Sequence, residues 1–198
     1  MEQIKKKKRI KWQLAQFLEI RWWQWYLRKK DKQAYLYAKA TYWQRVLDQL
    51  GLDVPAGARV LDAGCGPAGI FMVLPQAQVL AIDPLLAAYA EKLPHFAPEE
   101  YPWVQFITTS LEDFTARESF DLVFCLNAIN HVDDLAKGIG ILAQVTASGQ
   151  SLLISIDAHR WWALKWLFRM LPGDALHPHQ HSLSDYLAML QAAGFSLS

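Results

Sequence analysis

The chain has two textures. Up to Leu50, apolar residues recur at helical spacing, with Ile10, Leu14, Phe17, Leu18, Trp22 and Trp25 in one series and Tyr35, Tyr42, Val46 and Leu50 in the next. Neither glycine nor proline interrupts them before Gly51. The spacing predicts two helices that break near Lys30 and Asp31, with Gly51 as the stop and Pro55-Ala56-Gly57 as the loop beyond. From residue 58 short apolar runs take over: ARVLDAG, QVLAIDP, VQFITT, FDLVFCLN and SLLISIDA. Each reads as a strand bounded by a turn. The stretches between them, 67–75, 85–93, 112–118 and 133–147, read as helical crossovers. The expected architecture is an α/β fold with a doubly wound, mostly parallel Rossmann-like sheet. Residues 1–54 form a basic, aromatic helical extension to it, and residues 55–198 the α/β domain.

Composition adds bounds. With 198 residues, 53% apolar and 20% charged, the chain can bury one good-sized core. Cys65 and Cys125 lie far apart in strand-like stretches, with no C-x-x-C motif, and read as small core residues in a reducing cytoplasm. No run of about 18 apolar residues predicts a membrane span. The basic N-terminus starts like a signal peptide, but Glu19 and Arg21 interrupt any apolar stretch and no small-residue cleavage site follows. Charge is polarised: residues 1–50 hold 13 Lys/Arg against 4 Asp/Glu, and the remainder 7 against 15. That division suggests one segment that meets an anionic surface and another that does the chemistry.

The candidate chemistry centres on VLDAGCGPAGI, residues 60–70, which runs from a strand through Gly64, Gly66 and Gly69 toward a helix. The spacing satisfies the dinucleotide fingerprint G-x-G-x-x-G and nearly satisfies the D-x-G-x-G-x-G turn that holds S-adenosylmethionine. In a doubly wound sheet, ligands sit beyond the carboxyl ends of the strands. Asp62, Gly64 and Gly66 follow the first strand. Asp83, followed by Pro84, ends the second and is placed to accept hydrogen bonds from ribose hydroxyls. Nicotinamide and S-adenosylmethionine sites share both features. Three others separate them: the nearly sixty residues ahead of the glycine strand, TTSLEDF after the third strand, and FDLVFCLNAINHVDD at the fourth.

With those stretches the sequence resembles the class I S-adenosylmethionine-dependent methyltransferases. The resemblance covers roughly residues 40–195, on VLDAGCGPAG, AIDP, SLEDF, FDLVFCLNAINHV, SLLISID and AAGF in that order. It implies that Gly64 and Gly66 present backbone to the methionine part of the cofactor, with Asp62 near its cationic end. It implies Asp83 on the ribose diol, the Leu111 N–H on adenine, and Ser110 or Glu112 near the exocyclic amine. Asn127 would lie beneath the methionine group, where the acceptor approaches. Two departures stand out: the family's third loop glycine falls at Ala68 and is offset to Gly69, and Ser110 stands where an acid is usual. The chain also ends at FSLS, where the family continues into an antiparallel hairpin. An abbreviated sheet with an exposed edge is therefore expected.

Methyl transfer from a sulfonium is an in-line displacement. Positioning can supply most of the acceleration, and a base is needed only if the acceptor must lose a proton. His131 could act as that base or order its loop. HPHQHS places His177, His179 and His181 at alternate positions. Without a nearby carboxylate or cysteine they suggest substrate contact or structure rather than a metal. RWWQWYLRKK and RWWALKWLFRM, the latter with Trp162, either pack as a cap over the sheet or form a lipophilic acceptor pocket or interfacial membrane contact. Nucleic acid is disfavoured, since no recognised module accompanies the short basic run. The helix of residues 5–30 is expected to cover part of the acceptor pocket and meet the segment 160–170. The expected function is methyl transfer to a small or lipophilic acceptor. The alternatives are a catalytically idle cofactor-binding module that docks through its basic arm and, more remotely, a nicotinamide enzyme.

Overall fold

The computed structural model describes residues 16–155 and 183–196. A first helix, α1, occupies residues 16–27. The next, α2 (Lys32–Gln49), begins where the Asp31 carboxylate accepts the Ala34 N–H at 2.9 Å. That bond satisfies one of the four orphan donors of a helix start. Gly51, at φ 59°, ends it in the left-handed conformation glycine adopts freely. The break at Lys30-Asp31 thus has a physical cause in the Asp31 cap.

Five strands follow: β1 (Arg59–Ala63), β2 (Gln78–Ile82), β3 (Val104–Ile107), β4 (Phe120–Leu126) and β5 (Thr146–Ser155). They pair in the order β3-β2-β1-β4-β5, every pairing parallel. Helix α3 (Leu86–Lys92) joins β2 toward β3, α4 (Leu135–Val145) joins β4 to β5, and α5 (Leu183–Ala192) follows. Alternating strand residues face two cores. Val60, Val79, Ala81, Leu122 and Phe124 pack with α1, α2 and α3. Leu61, Ala63, Val123 and Cys125 pack with α4 and Tyr186 of α5. Covering both faces is what an all-parallel sheet requires. Cys65 and Cys125 are buried and free.

The expected crossovers at 67–75 and 112–118 are not α-helices. The first contains only a 3₁₀ turn, Ile70–Val73, and the other only Leu111–Asp113. Just Gly64–Ala77 separates β1 from β2, close to the dozen or so residues that a parallel crossover needs at minimum. The glycine turn takes the start of that segment and Pro75 ends it, which leaves room for one short turn. Ile70, Phe71 and Leu74 still bury fully.

α1 and α2 share the core of the sheet. Ile20, Leu27, Trp43 and Leu47 are buried in one cluster with Val60, Leu86 and Tyr89. Trp43 donates its indole N–H to the Ala68 carbonyl at 2.8 Å, which pins α2 to the glycine loop. Among the described residues no helix is long and apolar enough to cross a membrane.

Candidate cofactor site

The carboxyl ends of the strands are tied to one another by specific contacts. At β1, Gly64 and Gly66 have φ of 72° and 59°, where an L side chain would be strained. The Gly66 N–H reaches across to β2 and donates to Asp83 Oδ2 at 3.0 Å. Asp83 Oδ1 accepts the Leu85 N–H at 2.8 Å, an Asx turn around Pro84. On the other side Gly64 abuts the loop after β4, since a Cβ there would run into the Ala128 Cβ. Asn127, next in line, is exposed and adopts φ 55°. Its N–H donates to the Ser155 carbonyl at 2.9 Å, and its Oδ1 accepts the Ser155 hydroxyl at 3.2 Å. A left-handed non-glycine residue at a strand end is the kind of strain that clusters at functional sites.

The turn after β3 is built differently. Ser110 caps it, accepting the Asp113 N–H at 3.2 Å and donating its hydroxyl to Asp113 Oδ2 at 3.0 Å. Leu111 is buried among β4-loop residues such as Ile129. Glu112 accepts the Asp133 N–H through Oε1, so this turn is fastened to the loop after β4. His131 ends the turn Ile129–His131 and is exposed.

The floor of the cleft is acidic. Asp62 is buried and its Oδ2 accepts the Phe71 N–H at 3.2 Å. Gly69 is packed so closely that a Cβ would lie 2.5 Å from that same oxygen, which is why glycine sits there. Burial pushes the Asp62 carboxyl up to about 7, against the Phe71 bond that lowers it, with the charge of Asp83 adding to the rise. Asp83 is likewise pushed up to about 7 by burial, then by the charge of Glu19 on α1. Burial also holds the Cys65 thiol well above its ordinary range, with both aspartates reinforcing it. Cys65 is therefore an inert core thiol.

S-adenosylmethionine suits these residues. The missing side chain of Gly66 opens onto free space, with nothing within 4 Å of where a Cβ would stand, so a ligand can approach the backbone there. Asp83 retains a spare lone pair on each oxygen after its two backbone bonds. A dinucleotide pyrophosphate, in contrast, rests on the N-terminus of an α-helix. Here the loop leads only into a four-residue 3₁₀ turn.

Residues 20–198 match the family described as "Methyltransferase domain". The chain belongs to that methyltransferase family. S-adenosylmethionine is accordingly its cofactor, and the nicotinamide reading falls. The methyltransferase-family chain is 29% identical over 132 residues to the ubiquinone biosynthesis O-methyltransferase of Bradyrhizobium sp. (strain ORS 278), covering 60% of this chain and 51% of that one. It is 26% identical over 164 residues to the same-named protein of Rhodopseudomonas palustris (strain BisB18), covering 72% and 63%. It thus spans about half the length of the curated relatives it matches, from 44% to 63%. Among solved structures it is similar to phosphoethanolamine N-methyltransferase 2 of Haemonchus contortus, a complex with S-adenosylhomocysteine, with a TM-score of 0.61, 20% identity, and coverage of 78% of this chain and 37% of that one. These likenesses lend nothing to an idle binding module.

Trp162, His177 and His179, expected at the acceptor, lie outside the described residues, as do residues 5–15 and the segment 160–170. Two residues at the strand ends were not singled out in the sequence: Ala128, which fills the space against Gly64, and Ser155, which holds Asn127. Neither carried a signal, because only the pairing of distant strands brings them to the edge.

Proposed function

We propose that this chain transfers the methyl group of S-adenosylmethionine, by in-line displacement, to a hydroxyl of a small, lipophilic acceptor. The observation that carries this reading is the convergence at the strand ends: Gly66 bonded to Asp83 on one side and Gly64 against Ala128 on the other. The cofactor supplies a methyl group activated on a sulfonium. In this reading Asp83 accepts the ribose diol, Gly64 and Gly66 admit the methionine part, and Asp62 fixes the loop through Phe71. Leu111 and Glu112 flank the adenine. Ser110 contributes through its cap more than its hydroxyl, since that group is engaged with Asp113. Asn127, held by Ser155, faces the acceptor's approach.

An oxygen acceptor is favoured because the curated relatives are named O-methyltransferases. A hydroxyl must shed its proton as the ether forms, and His131 is the base available at the fourth strand end.

Any membrane contact would be peripheral, through the outer face of α1. There Phe17, Arg21, Trp25 and Arg28 are all exposed at helical spacing, and the Arg28 guanidinium stands 5.5 Å over the Trp25 ring. Aromatic and basic residues on one face suit an anionic headgroup layer.

The acceptor class is tested by incubating the chain with labelled S-adenosylmethionine and fractionated cell extract, then identifying labelled products by mass spectrometry. A methyl ether in the lipid or small-molecule fraction supports the reading. Label confined to nucleic acid or protein would sink it.

A further inference from the structure

The end of β5 grips the residue just past β4. Ser155 closes β5 and pairs with Leu126 in the parallel register. Its carbonyl and its hydroxyl oxygen both accept the Asn127 N–H, at 2.9 and 3.1 Å. The hydroxyl donates in turn to Asn127 Oδ1 at 3.2 Å. These bonds hold Asn127 at φ 55°, a conformation that no other non-glycine residue adopts among the described residues. Asparagine bears it better than most side chains.

The same bonds decide which end of the amide is free. A backbone N–H can only donate, so Ser155 Oγ accepts it and keeps its own hydrogen for a second partner. Were the amide turned over, two donors would crowd Oγ and that hydrogen would be unused. Oδ1 therefore faces Ser155 and the Nδ2 amino group is left over, with no acceptor among the described residues. Asn127 is exposed and directly precedes Ala128, the residue that Gly64 abuts. It thus stands on the β4 side of the glycine turn, with β1 between it and Asp83. With the ribose at Asp83, the methionine end of the cofactor falls to the β4 side.

That end carries an ammonium, which only donates, and a carboxylate, which only accepts. A free amide NH2 matches the carboxylate alone. The turns after the first four strands, 64–69, 83–85, 108–113 and 127–134, contain neither Lys nor Arg, so no such side chain in them competes for it. We infer that Ser155 is a positioning residue, which turns the Asn127 amide so that Nδ2 donates to the carboxylate of the bound cofactor. The inference rests on the cofactor reading above and supplies a partner for the end of the ligand that Asp83 does not reach.

The test compares two ligands by titration calorimetry on the full chain. S-adenosylhomocysteine carries the carboxylate, and 5′-methylthioadenosine keeps the adenosine and sulfur but lacks the amino acid. Asn127→Gly suits the left-handed backbone and removes the amide. It should weaken S-adenosylhomocysteine by about tenfold, the typical cost of losing a hydrogen bond to a charged group, and leave 5′-methylthioadenosine unchanged. Ser155→Ala should show the same selectivity with a smaller loss, about fivefold, and Ser155→Thr should restore affinity because the hydroxyl returns. Adding Ser155→Ala to Asn127→Gly should cost nothing further, since the two act through one contact. Equal losses for both ligands, no loss for either, or additive losses in the double variant would overturn the inference and leave the pair as a structural clasp between β4 and β5. A wild-type chain that binds neither ligand overturns the cofactor reading itself, and this inference with it.

Discussion

The Asp83 carboxylate that ends β2 accepts the Gly66 N–H at 3.0 Å, so the residue expected to hold the ribose also holds the glycine turn of the neighbouring strand. One side chain therefore couples two halves of the pocket. Asp83→Ala should weaken S-adenosylmethionine binding by about 1.5 to 3 kcal/mol, roughly 10- to 150-fold. Titration calorimetry measures the affinity. Hydrogen exchange at Gly66 and Leu85 should accelerate in the same variant, since both amides lose their acceptor.

Gly64 and Gly66 share a backbone conformation but not surroundings, and their alanine variants should separate accordingly. Gly64→Ala forces a methyl into the Ala128 side chain and adds left-handed strain. Overpacking costs about 1 to 3 kcal/mol and the strain about 1 to 2 more. Gly66→Ala has open space and carries only the strain. Denaturant unfolding should thus show a large loss for Gly64→Ala and a small one for Gly66→Ala. Cofactor affinity should fall in the Gly66 variant, because its methyl occupies the ligand's approach.

The buried aspartates set a pH dependence. Asp62 and Asp83 are both pushed up to about 7 in the folded chain, against about 3.9 for an unfolded aspartate. The folded state therefore binds these protons more tightly. Its stability is greatest below about pH 4 as far as these groups are concerned, and declines as pH rises toward 7. Thermal melts of the ligand-free chain should show that decline. Asp62→Asn, which keeps an acceptor for Phe71, should flatten it and melt several degrees higher at pH 8. An unchanged pH profile would mean that the carboxyls are not protonated.

Deletion of residues 1–15 and deletion of residues 1–30 should differ in kind. The longer deletion removes Ile20 and Leu27 from the core, at about 1.5 to 3 kcal/mol for each buried side chain. It should lower the melting temperature markedly. The shorter one removes neither, so its melting temperature should fall by less than that of the longer deletion.

The outer face of α1 can be tested apart from its inner face. Phe17→Ser with Trp25→Ser should reduce flotation with vesicles of mixed neutral and anionic phospholipid, and leave cofactor affinity unchanged. Wild-type chain that ignores anionic vesicles would remove the membrane contact from the reading.

The strands and α2 were legible because each reports itself locally. QVLAIDP and FDLVFCLN are apolar runs bounded by turns, and Asp31 and Gly51 bracket a helical period. The two 3₁₀ crossovers were not legible. Periodicity registers that Ile70, Phe71 and Leu74 are apolar, but the short span to β2 and the close packing of Gly69 on Asp62 decide that no helix forms. Asp83 could be picked out by its distance from the glycines. Ser155 could not, because its hold on Asn127 depends on β5 pairing with β4.

The acidic floor beneath the glycine turn bears on how ligands of different charge are told apart. S-adenosylmethionine enters with a positively charged sulfur, and after transfer the sulfur is neutral. A cation beside Asp62 and Asp83 draws their carboxyls back toward ionisation, so its arrival should expel protons at neutral pH. The spent cofactor lacks that pull, and the same carboxyls should recover protons as it forms. Calorimetry in buffers of different ionisation heat should register a larger proton release for S-adenosylmethionine than for S-adenosylhomocysteine. The burial that makes these acids weak would then also loosen the pocket's grip on its own product.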